Sequence, residues 1–162
     1  MNKSIAIAAA LLLTVAAFAQ DGKSIYNKYS EAENVSAVYI SPAMFRLVGK
    51  IPDIKVEGSD VNLGPILQAM SGLYLISSEN PAINAGIKAD AERFLKKNSY
   101  ELLMEAKDAG ETVRICTLGQ EIVTGFVLLA FQRDECTFIS LDGKMKREEL
   151  ERLLAESRKK HE

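Results

Sequence analysis

The single histidine of this sequence limits the catalytic mechanisms open to it. A Ser or Cys nucleophile of the triad type needs an adjacent base, most often a histidine. The only histidine is His161, the second-last residue of a charged C-terminal tail. We therefore expect no Ser-His-Asp or Cys-His site, and we interpret His161 as a solvated tail residue.

Residue spacing also disfavours metal, phosphate and carboxylate chemistry. Cys116 and Cys136 lie 20 residues apart outside any C-x-x-C motif, and the acidic connector Asp53–Asp60 lacks EF-hand spacing. Neither glycine-rich phosphate motif occurs. Glu101 and Glu105 share a predicted strand face, but roughly 13 Å between them is too far for a glycosidase pair. The sequence predicts no catalytic residue, no cofactor and no metal site.

Tyrosines are the best candidates for a binding surface. Tyrosine is favoured at interfaces because its ring is apolar and its hydroxyl forms hydrogen bonds. The candidate interaction surface consists of Tyr26, Tyr29, Tyr39 and Tyr74. The alternative is that each tyrosine packs at the edge of the core with its hydroxyl in water.

Composition places the chain among ordinary globular proteins. Its 162 residues are 48% apolar and 26% charged, and the formal net charge is −2. A nucleic-acid-binding protein needs a basic footprint, so we expect no nucleic-acid partner. A chain of this size can bury a core without disulfide bonds to support it.

The N-terminus has the features of a secretory signal peptide. Lys3 precedes an apolar run, Ile5–Ala19, that only Thr14 interrupts, and Ala17-Phe18-Ala19 fits a signal-peptidase site. We expect residues 1–19 to be removed and the chain to be exported to the periplasm or cell envelope. The alternative, a transmembrane anchor, needs a longer apolar run. No later segment is long and apolar enough to span a membrane, so we expect no transmembrane segment in the mature chain.

Residues 20–162 are predicted to form a single α+β domain with a charged, frayed C-terminal tail. Apolar periodicity and turn signals predict one strand, two helices, a strand, a helix, four strands and a final helix. The predicted strands are 35–40, 73–77, 100–107, 111–118, 121–132 and 135–141, and the predicted helices are 41–51, 62–72, 78–97 and 146–157. We expect a mixed sheet that ends in a four-stranded antiparallel meander, with about four helices packed on it.

Hairpin turns set the register of the predicted meander. A two-residue turn at Ala109-Gly110 pairs Glu105 with Arg114 and Lys107 with Thr112. This register places apolar residues on one face and an ion pair on the other, which supports it.

The same register argues against a disulfide. A turn at Gly119-Gln120 places Cys116 opposite Val123, and the next turn places Cys136 opposite Phe131. The cysteines are then eight residues apart along the strand between them, roughly 26 Å, whereas a disulfide needs Cα atoms within about 7 Å. We expect two buried free thiols; an intermolecular bridge is the alternative.

The predicted strand 121–132 is apolar in both of its alternating sets of residues. Such a strand is central and covered on both faces. The cover is either helices on both faces, or helices on one face and a dimer partner on the other. The sequence leaves both arrangements open.

Several short segments make the chain similar to a known family. They are Lys28-Tyr29-Ser30, Val38-Tyr39-Ile40-Ser41 with Ala43-Met44-Phe45, Leu73–Glu79, and Asp134-Glu135-Cys136-Thr137. On these patterns the chain, from about residue 25 to 154, resembles the secreted proteins of domain-of-unknown-function family 4252, found mainly in Bacteroidetes. The resemblance implies a signal peptide and an envelope location. It implies no activity, so no catalytic residue carries over.

Our leading hypothesis is a non-catalytic periplasmic protein that binds an unknown envelope protein or small ligand through its sheet or its tyrosines. The alternative is a carrier of a small ligand or lipid, held between helices and an apolar sheet. A carboxylate-dependent hydrolase of envelope polymers and an accessory to envelope sensing are further alternatives. A homodimer is one form that a protein partner can take.

Overall fold

The computed structural model of the protein describes residues 21–50 and 64–158. The predicted signal peptide Met1–Ala19, the acidic connector Asp53–Asp60 and His161 lie outside the described residues. The expectations attached to them stay predictions. Within the described residues the chain is α+β, as the sequence predicts.

One sheet of six strands organises the fold, and every neighbouring pair is antiparallel. The strands are β1 (Val35–Ile40), β2 (Met70–Ser78), β3 (Glu101–Asp108), β4 (Glu111–Leu118), β5 (Ile122–Phe131) and β6 (Cys136–Lys146), in the order β1-β2-β6-β5-β4-β3. The meander β3–β6 is confirmed, but the prediction of a mixed sheet is wrong. β2 and β3 do run in the same direction, as a helical crossover allows, but β6, β5 and β4 lie between them.

Five helices are described, one more than the four predicted. They are α1 (Gly22–Tyr29), α2 (Pro42–Val48), α3 (Gly64–Ala69), α4 (Pro81–Lys97) and α5 (Arg147–Arg158). The side chains of Asp21, Ser41 and Asn80 cap α1, α2 and α4 by accepting a hydrogen bond from a backbone N–H of the first turn. A proline in the first turn follows two of these caps, which makes the starts of α2 and α4 evident from sequence.

The start of β2 and the end of β6 differ from prediction, because hydrogen bonding to neighbouring strands outweighs the local sequence signals. The sequence predicts a helix that ends at Gly72, but β2 begins at Met70 and takes Gly72 into the sheet. The sequence also predicts that the last strand ends at Leu141. Instead β6 continues, since both β2 and β5 supply partners beyond that point.

The larger core lies between α1, α4 and one face of the sheet, which we call the helix face. Its fully buried apolar residues are Ile76, Ile87, Ala91, Val127, Leu129 and Phe138. The opposite face, which we call the open face, is covered at one end by a smaller core that includes residues of α2 and α5. The buried residues of that core are Phe45, Met70, Val123, Met145 and Leu150.

The register predicted for the first hairpin of the meander is confirmed. Glu105 pairs with Arg114 and Lys107 with Thr112. The turn Ala109-Gly110 has positive φ at both residues, 45° and 90°, as a tight hairpin turn requires.

The pairing of one cysteine differs from prediction. Cys136 pairs with Phe131 as predicted, but Cys116 pairs with Val127 instead of Val123. The reason is a wider turn between β4 and β5, which leaves the first residues of β5 without partners on β4. The cysteines are thus four residues apart along β5, roughly 13 Å, instead of eight. Both are free and buried, as predicted.

Candidate functional site

Three of the four candidate tyrosines form one aromatic cluster. Tyr39 and Tyr74 are partners on β1 and β2, and their rings stack at 5.1 Å with an interplanar angle of 13°. The ring of Tyr26 on α1 lies 6.2 Å from that of Tyr39 and 5.8 Å from that of Tyr74. Tyr39 is 47% exposed, so the cluster is accessible from solvent.

The fourth tyrosine lies elsewhere. Tyr29 is buried, and its hydroxyl donates a hydrogen bond to Asp90 of α4 at 2.7 Å. Lys28 donates to the same oxygen at 2.6 Å, and Arg93 forms an ion pair with the other oxygen at 3.0 Å. Burial of Asp90 by itself would raise its pKa, but the hydrogen bonds from Lys28 and Tyr29 outweigh burial and hold the pKa below its ordinary value. Tyr29 therefore ties α1 to α4.

Asp142 lies near this cluster, on the helix face of the central strand β6. Its partners are Gly72 on β2 and Gly125 on β5. Both ladders shift register here, between Met70 and Gly72 and between Val123 and Gly125. Irregularities of this kind re-aim side chains and are common beside functional sites.

Tyrosine side chains fill the space above the two glycines. A β-carbon on Gly72 would lie 3.4 Å from the ring of Tyr74, and one on Gly125 would collide with the hydroxyl of Tyr100. Phe94 of α4 holds Tyr100 in place, with ring centroids 5.2 Å apart. The aspartate between the two glycines is thus flanked by tyrosines on both sides.

The carboxyl group of Asp142 has no hydrogen bond or ion pair within the described residues. Burial raises its pKa, and the negative charge of Asp21 raises it further. Burial, with Asp142 among the nearby charges, also raises the pKa values of Tyr74 and Tyr100. Ser140, two residues before Asp142 on the same face, is fully buried, and its hydroxyl has no partner in the described part of the chain. Ser140 packs against Gly22 of α1, where a β-carbon would collide with its hydroxyl oxygen.

Sequence reasoning missed Asp142 and Tyr100 as site residues. It ends the last strand at Leu141, one residue before Asp142, and it treats Tyr100 as the first residue of an ordinary strand. The signal that points to them is Gly72 and Gly125, because a glycine inside a strand often marks the close approach of a ligand or of other backbone.

The open face of the sheet carries an unbroken apolar row. Cross-strand partners from all six strands form it: Val38, Leu75, Ile139, Leu128, Ile115 and Met104. Val38 and Met104, at the two ends, are 45% and 44% exposed, and none of the four residues between them is buried. None of the six belongs to either core.

The residues of the adjacent row of the open face have small, uncharged side chains. Its members are Ser36, Ser77, Thr137, Ala130, Val113 and Ala106. Glu135 lies at the rim, where its carboxylate accepts a hydrogen bond from Ser77 at 3.1 Å. Monomeric proteins seldom expose a broad apolar patch, and such a patch is typical of an interaction site.

The other reactive groups considered in the sequence lie apart from these surfaces. Burial raises the pKa of the Cys116 thiol and raises that of Cys136 to about 11, which keeps both thiols protonated at neutral pH. The prediction that Glu101 and Glu105 share a strand face is wrong, because a register shift in β3 separates them. They form ion pairs with arginines on different elements, α5 and β4. Within the described residues, no three His, Cys, Asp or Glu side chains are grouped to hold a metal ion. No described helix is long and apolar enough to cross a membrane.

Comparison with known proteins identifies a family. The sequence model of DUF4252, described as a domain of unknown function, matches residues 29–153. The matched range includes all six strands and the helices α2, α3 and α4. No curated protein and no solved structure matches the chain.

Proposed function

We propose that this chain, which belongs to the DUF4252 family, is a non-catalytic exported protein whose open sheet face binds a second copy of the chain. The observation that carries the proposal is the apolar row from Val38 to Met104, which neither core includes. Burial of apolar surface is the main driving force of protein association.

The composition of β5 supports a second cover on the open face. Val127 and Leu129 point into the helix-face core, while Leu128 and Ala130 point to the open face and are only partly buried. A strand with one wet face normally alternates apolar and polar residues. The apolar residues on both sides of β5 are therefore suited to a sheet that a partner covers.

The chemistry of the open face suits a second copy. Its two exposed rows are uncharged, so a chain of net charge −2 can meet its own copy there without opposing like charges. A two-fold axis brings the same patch of both copies together. Face-to-face sheets pack about 10 Å apart in sandwiches by this kind of apolar contact.

The open face is large enough for a specific interface. The apolar row crosses five strand spacings, roughly 24 Å, and the uncovered part extends roughly 13 Å along the strands. With side-chain margins, the footprint is on the order of 500 Å² per copy and about 1,000 Å² in total, near the lower limit of specific interfaces. We therefore expect a dimer of moderate affinity.

Sequence features support export and the absence of catalysis. The pattern at Met1–Ala19 is that of a cleaved signal peptide, and an intact mass that begins at Gln20 would test it. The only histidine lies in the tail at His161. The two thiols are buried with raised pKa values, which makes them poor nucleophiles.

A carrier of a small ligand is the second candidate function, and Asp142 is the observation that favours it. Its unpaired carboxyl group lies between tyrosines, which suits a polar or charged ligand better than a lipid. A surface cleft of about 410 Å³ at the start of α5 is lined by Ile122 and five charged residues, which is unlike the largely apolar lining of most ligand pockets.

Sedimentation equilibrium of the mature chain tests the dimer. We expect the wild type to dimerise and Val38→Lys/Met104→Lys to weaken dimerisation at least about tenfold, because it places a charge at each end of the apolar row. Leu102→Lys is the matched control, since Leu102 is 53% exposed and pairs with Cys116 on the helix face, and it should dimerise like the wild type. A monomeric wild type, or a Val38→Lys/Met104→Lys variant that dimerises unchanged, would contradict the proposal.

A further inference from the structure

Asp142 belongs to a surface that the dimer leaves free. Its carboxyl group lies on the helix face, on the opposite side of the sheet from the Val38–Met104 row. It has no hydrogen bond or ion pair within the described residues. We propose that Asp142, with Tyr74 and Tyr100 beside it, binds the ammonium group of an organic amine.

The charges around Asp142 favour a cation. Asp21, at the start of α1, is close enough for its charge to act on Asp142. Among the described residues, neither carboxylate forms an ion pair with a basic side chain. A bound cation would pair with Asp142 and relieve the repulsion between the two acids.

The tyrosines favour an organic cation. The rings of Tyr26, Tyr39 and Tyr74 meet on one side of the site at centroid distances from 5.1 to 6.2 Å, and Tyr100 lies over Gly125 on the other. Aromatic rings attract cations, and quaternary ammonium groups in particular. An alkylammonium group can contact the carboxylate, the phenol oxygens and the ring surface together.

A divalent metal ion fits the same residues less well. Ca²⁺ takes about six to eight oxygen ligands, including several carboxylates. Asp142 supplies the carboxylate between the strand glycines, and Oδ1 of Asp21 already accepts hydrogen bonds from the backbone and hydroxyl of Ser24. The described residues contain no cluster of three metal-binding side chains at this point or elsewhere.

Ser140 is a second polar group without a described partner near this site, but its hydroxyl lies beneath α1, where a β-carbon on Gly22 would collide with it. It lies two residues before Asp142 on the same face and pairs with Tyr74 on β2. Its side chain is fully buried, and its hydroxyl has no partner among the described residues. The carboxyl group of Asp142, unpaired within the described residues and on a central strand between two register shifts, therefore carries the proposal, and Ser140 does not.

NMR titration of the isotope-labelled mature chain tests this site. The probes are choline, n-butylammonium and Ca²⁺, as chloride salts, and 3,3-dimethylbutanol, the uncharged isostere of choline. We expect both ammonium ions to shift the backbone amides around Asp142 and Tyr100, and the alcohol to bind at least about tenfold more weakly. Choline represents a lipid headgroup, and butylammonium represents a lysine-type amine. The probe that binds more tightly therefore identifies the source of the ammonium group that the site recognises.

Three variants separate the charge from the shape of the site. Asp142→Asn keeps the shape of the site and should weaken the binding of both ammonium ions at least about tenfold. Asp108→Asn, at an exposed acid at the end of β3, is the matched control and should bind like the wild type. Tyr74→Phe keeps the aromatic ring. It should weaken the binding of butylammonium more than that of choline, because only the primary amine donates hydrogen bonds to a phenol oxygen.

Three results would overturn the amine site. They are equal binding of the uncharged alcohol, preference for Ca²⁺ over both ammonium ions, and unchanged amine binding by Asp142→Asn. The dimer and the site fail separately, because a monomeric chain that still binds amines contradicts only the dimer.

Discussion

Tyr100 places its hydroxyl over Gly125, where even a methyl group would collide with it. The tyrosine is fixed from the other side, since its ring packs on Phe94 and its backbone N–H donates to Leu95 at 3.0 Å. The central strand β5 therefore omits a side chain at Gly125 so that a tyrosine can lie beside Asp142.

This contact predicts a coupled pair of substitutions. We expect Gly125→Ala to lower the free energy of unfolding by about 1–3 kcal/mol, the usual cost of overpacking. Tyr100→Phe removes the colliding oxygen and leaves the nearest ring carbon at 3.0 Å, so the double variant should recover part of the loss. Urea denaturation of the wild type and the three variants measures the coupling. Strictly additive losses would show that the two residues do not collide.

Asp142 is expected to lower stability at neutral pH. Burial raises its pKa above the ordinary value of 3.8, so the folded chain holds the proton more tightly than the unfolded chain does. Stability therefore falls as pH rises from 3.8 through the raised folded value. Asp142→Asn should stabilise the fold at neutral pH, on the order of 1 kcal/mol, and the gain should vanish well below pH 3.8.

Urea denaturation of the wild type and of Asp142→Asn, at neutral pH and well below pH 3.8, tests the direction of this effect. An asparagine variant that is less stable than wild type at neutral pH would mean that the carboxylate has a stabilising partner. Addition of choline to the wild type should offset the difference, because a ligand that binds only the folded chain stabilises it.

Asp90 should show the opposite pH dependence. Its pKa lies below 3.8 because the hydrogen bonds from Lys28 and Tyr29 outweigh the effect of burial. Its contribution to stability is therefore present above pH 3.8 and is lost as pH falls through the lowered value. Asp90→Ala should cost about 1–3 kcal/mol at neutral pH, because the buried Tyr29 hydroxyl loses its acceptor.

The double variant Tyr29→Phe/Asp90→Ala is the control for that interpretation. It removes the hydrogen-bond donor and the acceptor together. Its loss in free energy of unfolding should therefore be smaller than the sum of the losses of the two single variants. Thermal denaturation at neutral pH measures all three. A double variant as costly as the sum would indicate that Asp90 acts mainly through Lys28 and Arg93.

Cys116 and Cys136 should be unreactive in the folded chain. Burial raises both thiol pKa values, that of Cys136 to about 11, and only the thiolate is nucleophilic. We expect no reaction with a thiol reagent at neutral pH until denaturant is added, and then two equivalents. An intact mass about 2 Da below the reduced value would reveal a disulfide and contradict the β4–β5–β6 register.

Turn residues and apolar alternation, which are local signals, predict the register of the first hairpin of the meander. The Glu105–Arg114 register follows from the two-residue turn at Ala109-Gly110, whose geometry depends on neighbouring residues alone. The Cys116–Val127 pairing could not be predicted the same way, because the wider turn before β5 depends on how that strand also pairs with β6. Register across a longer turn is a property of the whole sheet.

The candidate site was only partly predictable for the same reason. Tyr39 and Tyr74 are distant in sequence and meet because β1 pairs with β2. Asp142-Gly143 has the composition of a turn, and only the ladders on both sides of β6 keep it in a strand. The apolar residues on both sides of β5, in contrast, indicated from sequence that its second face needs a cover.

Isotope-filtered NMR on a mixture of labelled and unlabelled mature chains tests the dimer most directly. We expect intermolecular NOEs to the methyl groups of Leu75, Ile139, Leu128 and Ile115, which form the centre of the row on the open face. The methyl groups of Val127 and Leu129, buried in the helix-face core, should show none. Intermolecular NOEs confined to other surfaces, or their absence from the row, would contradict the assignment of the open face to a second copy.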